Sequence, residues 1–203
     1  MKGIVISKEK TDFNDLLEKN KEYIYLLLFY ISGLLAGSLL FNSLNMSKYS
    51  SYISDLLTIK NDSLLSITVD RLSLYFLVYV FAILLGLCII GFPIINFLPL
   101  LCGFEVAIKI AFYYNLYLIK GIGYSFLMIA PETAAFMAIL FFTISASKKL
   151  SKNIFTASIR KNIENQIILA DYLKLFLKYG AEIIAISIVN SIIIYLFNSI
   201  IKI

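Results

Sequence analysis

The chain has 203 residues, is 60 % hydrophobic and carries a formal net charge of +5, with a mean hydropathy of +0.87. Its apolar residues fall in runs of about 20, the length that crosses roughly 30 Å of hydrocarbon, and the polar segments 1–22, 46–73 and 148–178 are each too short to bury a core of their own. Histidine is absent, which removes the commonest general base and the commonest metal ligand and so excludes haem ligation by His and zincin chemistry.

The pattern predicts an all-α integral membrane bundle of five spans. Residues 1–22, MKGIVISKEKTDFNDLLEKNKE, hold five lysines and five acids and read as a cytoplasmic tail, with 23–203 forming a single membrane domain. The first span is 23–44, longer than a signal-peptide core and lacking a small-x-small cleavage site after it. In it, Gly33 and Gly37 of SGLLAGS have the spacing that lets two helix backbones approach closely. That approach is either to another helix of the bundle or to a partner or second copy.

Residues 46–73 have balanced charge and read as an extracytoplasmic loop. Tyr49, Tyr52, Ile53, Leu56 and Leu57 fall on one face of a helix lying on the membrane, a candidate contact for a partner. The second and third spans, 74–92 and 94–117, form a hairpin because Gly91 and Pro93 interrupt the apolar stretch, proline lacking a donor and clashing with the preceding turn. The fourth span, 124–147, contains Pro131, which leaves the Leu127 carbonyl without its usual helical donor and kinks the helix. The segment 148–178 is basic and amphipathic, with Ile159, Ile163, Ile167 and Ala170 on one face, as for a helix along the inner leaflet in contact with anionic lipid. The last span is 179–201. Cys88 and Cys102 both lie in apolar runs and read as small buried residues.

With the N-terminus inside, cytoplasmic segments hold twelve Lys and Arg residues against five outside, which orients the N-terminus in and the C-terminus out. Positive charges placed beside spans in this way serve topology and give no support for nucleic-acid binding. The sequence holds no phosphate-binding loop, no serine paired with a base and no extramembrane carboxylate pair spaced for sugar hydrolysis. No catalytic residue, cofactor or metal is expected.

CGFEVAIKIAFYY, residues 102–114, places Glu105 and Lys109 inside the third span, four apart with the acid first, the orientation in which helical pairs help each other. At about 1.5 Å per residue Glu105 lies roughly 16 Å and Lys109 roughly 22 Å from the inner surface, and Glu132 of the fourth span lies roughly 12 Å from the outer one. Lys109 and Glu132 then share a depth, so Glu105, Lys109 and Glu132 are expected to cluster. Such a cluster either satisfies itself and packs the helices, or lines a proton or ion path.

Three segments carry a resemblance: YIYLLLFYISGLLAGSLLFNSL in the first span, LGLCIIGFPIINFLPLLCGF across the hairpin, and KGIGYSFLMIAP leading into the fourth span. In that order and spacing, over residues 23–200, the chain resembles the stage II sporulation protein M family. It departs from the family pattern at Glu105, Lys109 and Pro131-Glu132. The resemblance implies a membrane scaffold in the septal or engulfing membrane of a sporulating bacterium. There it would localise two membrane-anchored peptidoglycan hydrolases, one cutting glycan strands and one cutting stem peptides. Related membrane proteins outside sporulation accompany peptide transporters, so a small permease or an accessory subunit of a peptide exporter or ion-coupled transporter is the alternative.

Overall fold

A computed structural model of the chain describes residues 20–43, 64–160 and 169–198. All regular structure among them is helical. In chain order the elements are α1 (Lys21–Ser43), α2 (Leu64–Leu87), the short α3 (Gly91–Ile94), a 3-10 turn (Ile95–Phe97), α4 (Leu98–Tyr117), α5 (Ile119–Tyr124), a π turn (Ser125–Ile129), α6 (Ala130–Arg160) and α7 (Leu169–Asn198). Five stretches are long and apolar enough to cross a membrane: Lys21–Ser43, Ile67–Leu87, Gly91–Tyr117, Ile119–Thr156 and Ala170–Leu196. An unbroken helix satisfies its own backbone N–H and C=O groups, which hydrocarbon cannot do for it. Large apolar side chains accordingly remain exposed on α1 (Leu28, Leu35, Leu39), α2 (Leu65, Leu77) and α7 (Val189, Leu196), the surface expected of helices that are apolar all round.

Several boundaries differ from the sequence expectation. The second helix starts at Leu64 and not at residue 74, so the C-terminal part of the expected loop 46–73 is helical; isolated Asp70 and Arg71 in "LLSITVDRLS" do not break a helix already propagating. The reversal comes at Cys88–Ile90, ahead of Pro93, which sits in the first turn of α3 where its missing N–H costs nothing. Gly91 allows the reversal, because a Cβ there would lie 1.7 Å from the Leu85 carbonyl oxygen. The third span is interrupted at its start for a related reason. Pro99 cannot donate to the Ile95 carbonyl, and the Leu98 N–H takes that carbonyl in 3-10 fashion instead.

The largest correction concerns the basic segment 148–178. Its described ends belong to the neighbouring long helices: α6 runs without a break through Arg160, and α7 has already begun at Leu169 rather than at residue 179. The sequence from Ser147 to Arg160 contains neither Gly nor Pro, so nothing stops the helix when its composition turns polar. The candidate span Ile119–Thr156, 38 residues long, is about 57 Å in length, well beyond the roughly 30 Å of a hydrocarbon core. Residues 161–168 of that segment, the tail 1–19, and the expected partner-contact residues Tyr49, Tyr52, Ile53, Leu56 and Leu57 lie outside the described residues.

Two groupings make up the packing. α1 lies along α4, and α6 packs with α2 and α7, which also touch each other. One apolar cluster joins them, drawing Leu26 from α1, Tyr75, Tyr79 and Ala82 from α2, Leu98 and Cys102 from α4, Phe136, Leu140 and Ile144 from α6, and Ile183 from α7. At one end, Leu150 of α6 packs with Phe176 of α7, whose carbonyl accepts the Tyr79 hydroxyl. There too the Ser151 hydroxyl donates to the Cys88 carbonyl at 2.7 Å, so the far end of α6 holds the α2–α3 turn.

Candidate functional site: a charged pair and a polar seam between the helix groups

The α1–α4 contact is set by glycines. A Cβ on Gly33 would stand 2.1 Å from the Leu100 carbonyl oxygen, one on Gly37 2.6 Å from that of Phe104, and one on Gly103 2.3 Å from that of Tyr30. The two backbones therefore touch, which only hydrogen at Cα permits. Gly33 and Gly37 thus face α4 within the bundle, and a partner does not have access to them. Gly103, the reciprocal residue, was not singled out by sequence, although its place in LLCGF opposite the first span is the signal that could have found it.

On the same helix, Lys109 Nζ lies 2.5 Å from Glu105 Oε1. Lys109 is turned inward and buried, whereas the Glu105 side chain is 35 % exposed. Glu132 is 3 % exposed, on α6. Its level in the bundle follows from the packing around it. Cys102 of α4 shares a cluster with Phe136 and Leu140 of α6, and Val106, Phe112 and Tyr113 of α4 share another with Ile129. Between these residues lie Lys109 on one helix and Glu132 on the other, both in the stretch where α4 and α6 pack, and the side chain that pairs with Lys109 is Glu105.

Pro131 shapes the approach to Glu132. Over Ser125–Ile129 the helix widens to π register, with the Ala130 N–H donating to the Ser125 carbonyl five residues back. A π turn is one way to bring a helix into a proline whose N–H is missing. The Thr133 hydroxyl then donates to the Ile129 carbonyl at 2.8 Å and to that of Ala130 at 3.1 Å. Thr133 also lies within hydrogen-bonding reach of the Tyr30 hydroxyl, which carries the polar seam from α6 to α1.

A second polar line was missed by sequence reasoning. On α7, Ser187, Asn190 and Ser191 are buried, and the Ser191 hydroxyl donates to the Ser187 carbonyl at 2.7 Å. Met128 clusters with Ile194, and Phe136 with Ile183, so these α7 residues pass the level of Glu132. Ser125 Oγ, Ser187 Oγ and Asn190 Nδ2 are buried with no hydrogen-bond partner among the described residues. The spacing of three and four between the polar residues of "AISIVNSIII" is the helical-face signal that could have marked them. No group of three Cys, Asp or Glu side chains among the described residues could hold a metal ion.

Comparison with family models, with curated proteins and with solved structures finds no match to this chain.

Proposed function

We propose that the chain is a non-enzymatic, multi-pass scaffold of the bacterial cell membrane, N-terminus cytoplasmic and C-terminus outside, that holds membrane-anchored peptidoglycan hydrolases at a septal or engulfing membrane. The observation that carries the reading is where the resemblance-bearing segments lie. Gly33 and Gly37 of the first meet Leu100 and Phe104 of the second, Gly103 of the second meets Tyr30 and Leu34 of the first, and Gly121 of the third would place a Cβ 2.0 Å from the carbonyl oxygen of Tyr113, a residue of α4 between the segments. The first two segments that resemble the sporulation family thus supply the close contacts between α1 and α4, and the third adds a turn packed back on α4. A rigid frame suits a positional role: it gives partners a fixed depth and register, and its buried Lys109 is already neutralised by Glu105. The twelve-to-five distribution of Lys and Arg supports the orientation.

The test is recovery of the tagged chain in mild detergent from growing and from sporulating cells. Enrichment of a wall hydrolase, with the tagged chain at the septum, is the expected outcome. Recovery of a transporter ATPase without any hydrolase would replace the scaffold by the second reading, an accessory subunit or small permease. That reading is favoured by the seam itself, since buried Ser125, Ser187 and Asn190 atoms without hydrogen-bond partners among the described residues are what a hydrated path contains.

A further inference from the structure

Glu105 stands in the middle of its span. It lies about 21 Å from Gly91 and about 18 Å from Tyr117 along the helix, the two ends of the third candidate span. Oε1 is the buried oxygen and faces Lys109. Lys109 points into the bundle, and the Glu105 side chain is 35 % exposed beyond it. Leu101, one turn earlier on the same helix, is 58 % exposed, and this stretch of α4 therefore looks out of the bundle. An ionised carboxylate offers about four lone-pair sites, of which one ammonium occupies a minority. Hydrocarbon supplies no donors, and polar groups left facing it are costly.

The geometry points to the outward side of Glu105 as a docking point for a membrane helix of another protein, one that presents a neutral hydrogen-bond donor (Ser, Thr, Asn or Gln) at mid-bilayer. This rests on the scaffold reading and gives it a contact. The donor is neutral because Glu105 and Lys109 already cancel, and a further cation would leave a net charge at the deepest level of the membrane. A second copy of this chain does not suit the surface. Two copies related by a twofold axis along the membrane normal would bring the same surfaces together at equal depth. Glu105 would then meet Glu105, and the neighbouring α4 residues Leu101 and Ile108 offer no hydroxyl or amide.

The test places a photo-crosslinking benzophenone amino acid at Leu101 in the full chain in living cells, with Leu39 on the exposed face of α1 as the control position. The expected result is a discrete protein adduct from position 101, whose crosslinked peptide is a membrane span carrying Ser, Thr, Asn or Gln within one turn of the crosslink, and lipid adducts alone from position 39. Glu105→Leu combined with Lys109→Leu, neutral overall and close in volume, should cut the adduct yield roughly three- to tenfold while the chain still accumulates. Lipid adducts alone at 101, an adduct to a second copy, a span without such a donor, or a yield unmoved by the double variant each overturns the proposal. If the double variant fails to accumulate, the identity of the wild-type peptide decides by itself. Hydrolase co-purification is followed in the same cells: hydrolase recovered without a position-101 adduct removes the docking point and leaves the scaffold, whereas loss of both removes both.

Discussion

Gly33→Ala isolates the contact on which the α1–α4 pair depends. The added Cβ would lie 2.1 Å from the Leu100 carbonyl oxygen and 2.9 Å from its carbon, whereas ordinary contact begins at 3.4 Å. The difference, about 1.3 Å, must come from parting two backbones, because no flexible side chain is there to yield. Overpacking of this kind costs about 1–3 kcal/mol, and alanine's better helix propensity returns up to about 1 kcal/mol. A net loss of about 1–2 kcal/mol is expected, roughly five- to thirtyfold in the folded-to-unfolded ratio. Gly123→Ala is the matched control, since nothing lies within 4 Å of a Cβ at that position, and it should be neutral or stabilising by up to about 1 kcal/mol. Both variants would be unfolded by SDS titration in a mild detergent, followed by far-ultraviolet circular dichroism. Equal midpoints for Gly33→Ala and Gly123→Ala would refute the backbone-contact argument.

Lys109→Leu alone leaves Glu105 without its 2.5 Å partner and should lower stability by about 3–5 kcal/mol, seen as loss of accumulated protein, while adding Glu105→Leu should restore most of it; a single variant as stable as the double would deny the pair any structural role. Leu118, which closes α4, has φ 50° and ψ −122°, a sparsely populated conformation costing a non-glycine residue about 1–3 kcal/mol; because its side chain is exposed, Leu118→Gly should raise the SDS midpoint by the equivalent of about 1 kcal/mol, and a fall would show that the side chain contributes more than the strain. In a background lacking Cys88 and Cys102, Ser50→Cys should react with an impermeant thiol reagent on intact cells and Ser158→Cys should not, the reverse pattern inverting the orientation. Apolar, volume-conserving replacement of Glu105, Lys109 and Glu132 together should leave the chain accumulating in the membrane while partner recovery falls with the loss of the Glu105 contact, and loss of cellular activity with partner binding preserved would favour an ion-dependent function.

The sequence by itself determined the five long apolar helices and the all-helical class, because runs of about 20 apolar residues form helices long enough to cross a membrane that close their own hydrogen bonds. It determined the Glu105–Lys109 pairing for the same local reason, since residues four apart on a helix are neighbours whatever surrounds them. It located the hairpin only to within several residues, because a proline is tolerated in a first turn and so marks either the end of one helix or the start of the next. It misplaced the start of α2 and the end of α6, since composition reports where an apolar run stops and a helix with no Gly or Pro at that point continues, and it misplaced the start of α7, which runs unbroken through Gly180. What only the tertiary structure decided is which faces meet. A small-xxx-small pair announces that some backbone comes close and does not say which one, and it took the packed bundle to set Gly33 and Gly37 against Leu100 and Phe104. The buried line of Ser187, Asn190 and Ser191 was equally undecidable, because a polar residue on an apolar helix can face water, a partner or a neighbouring helix, and that choice depends on residues of α2 and α6 more than forty positions away.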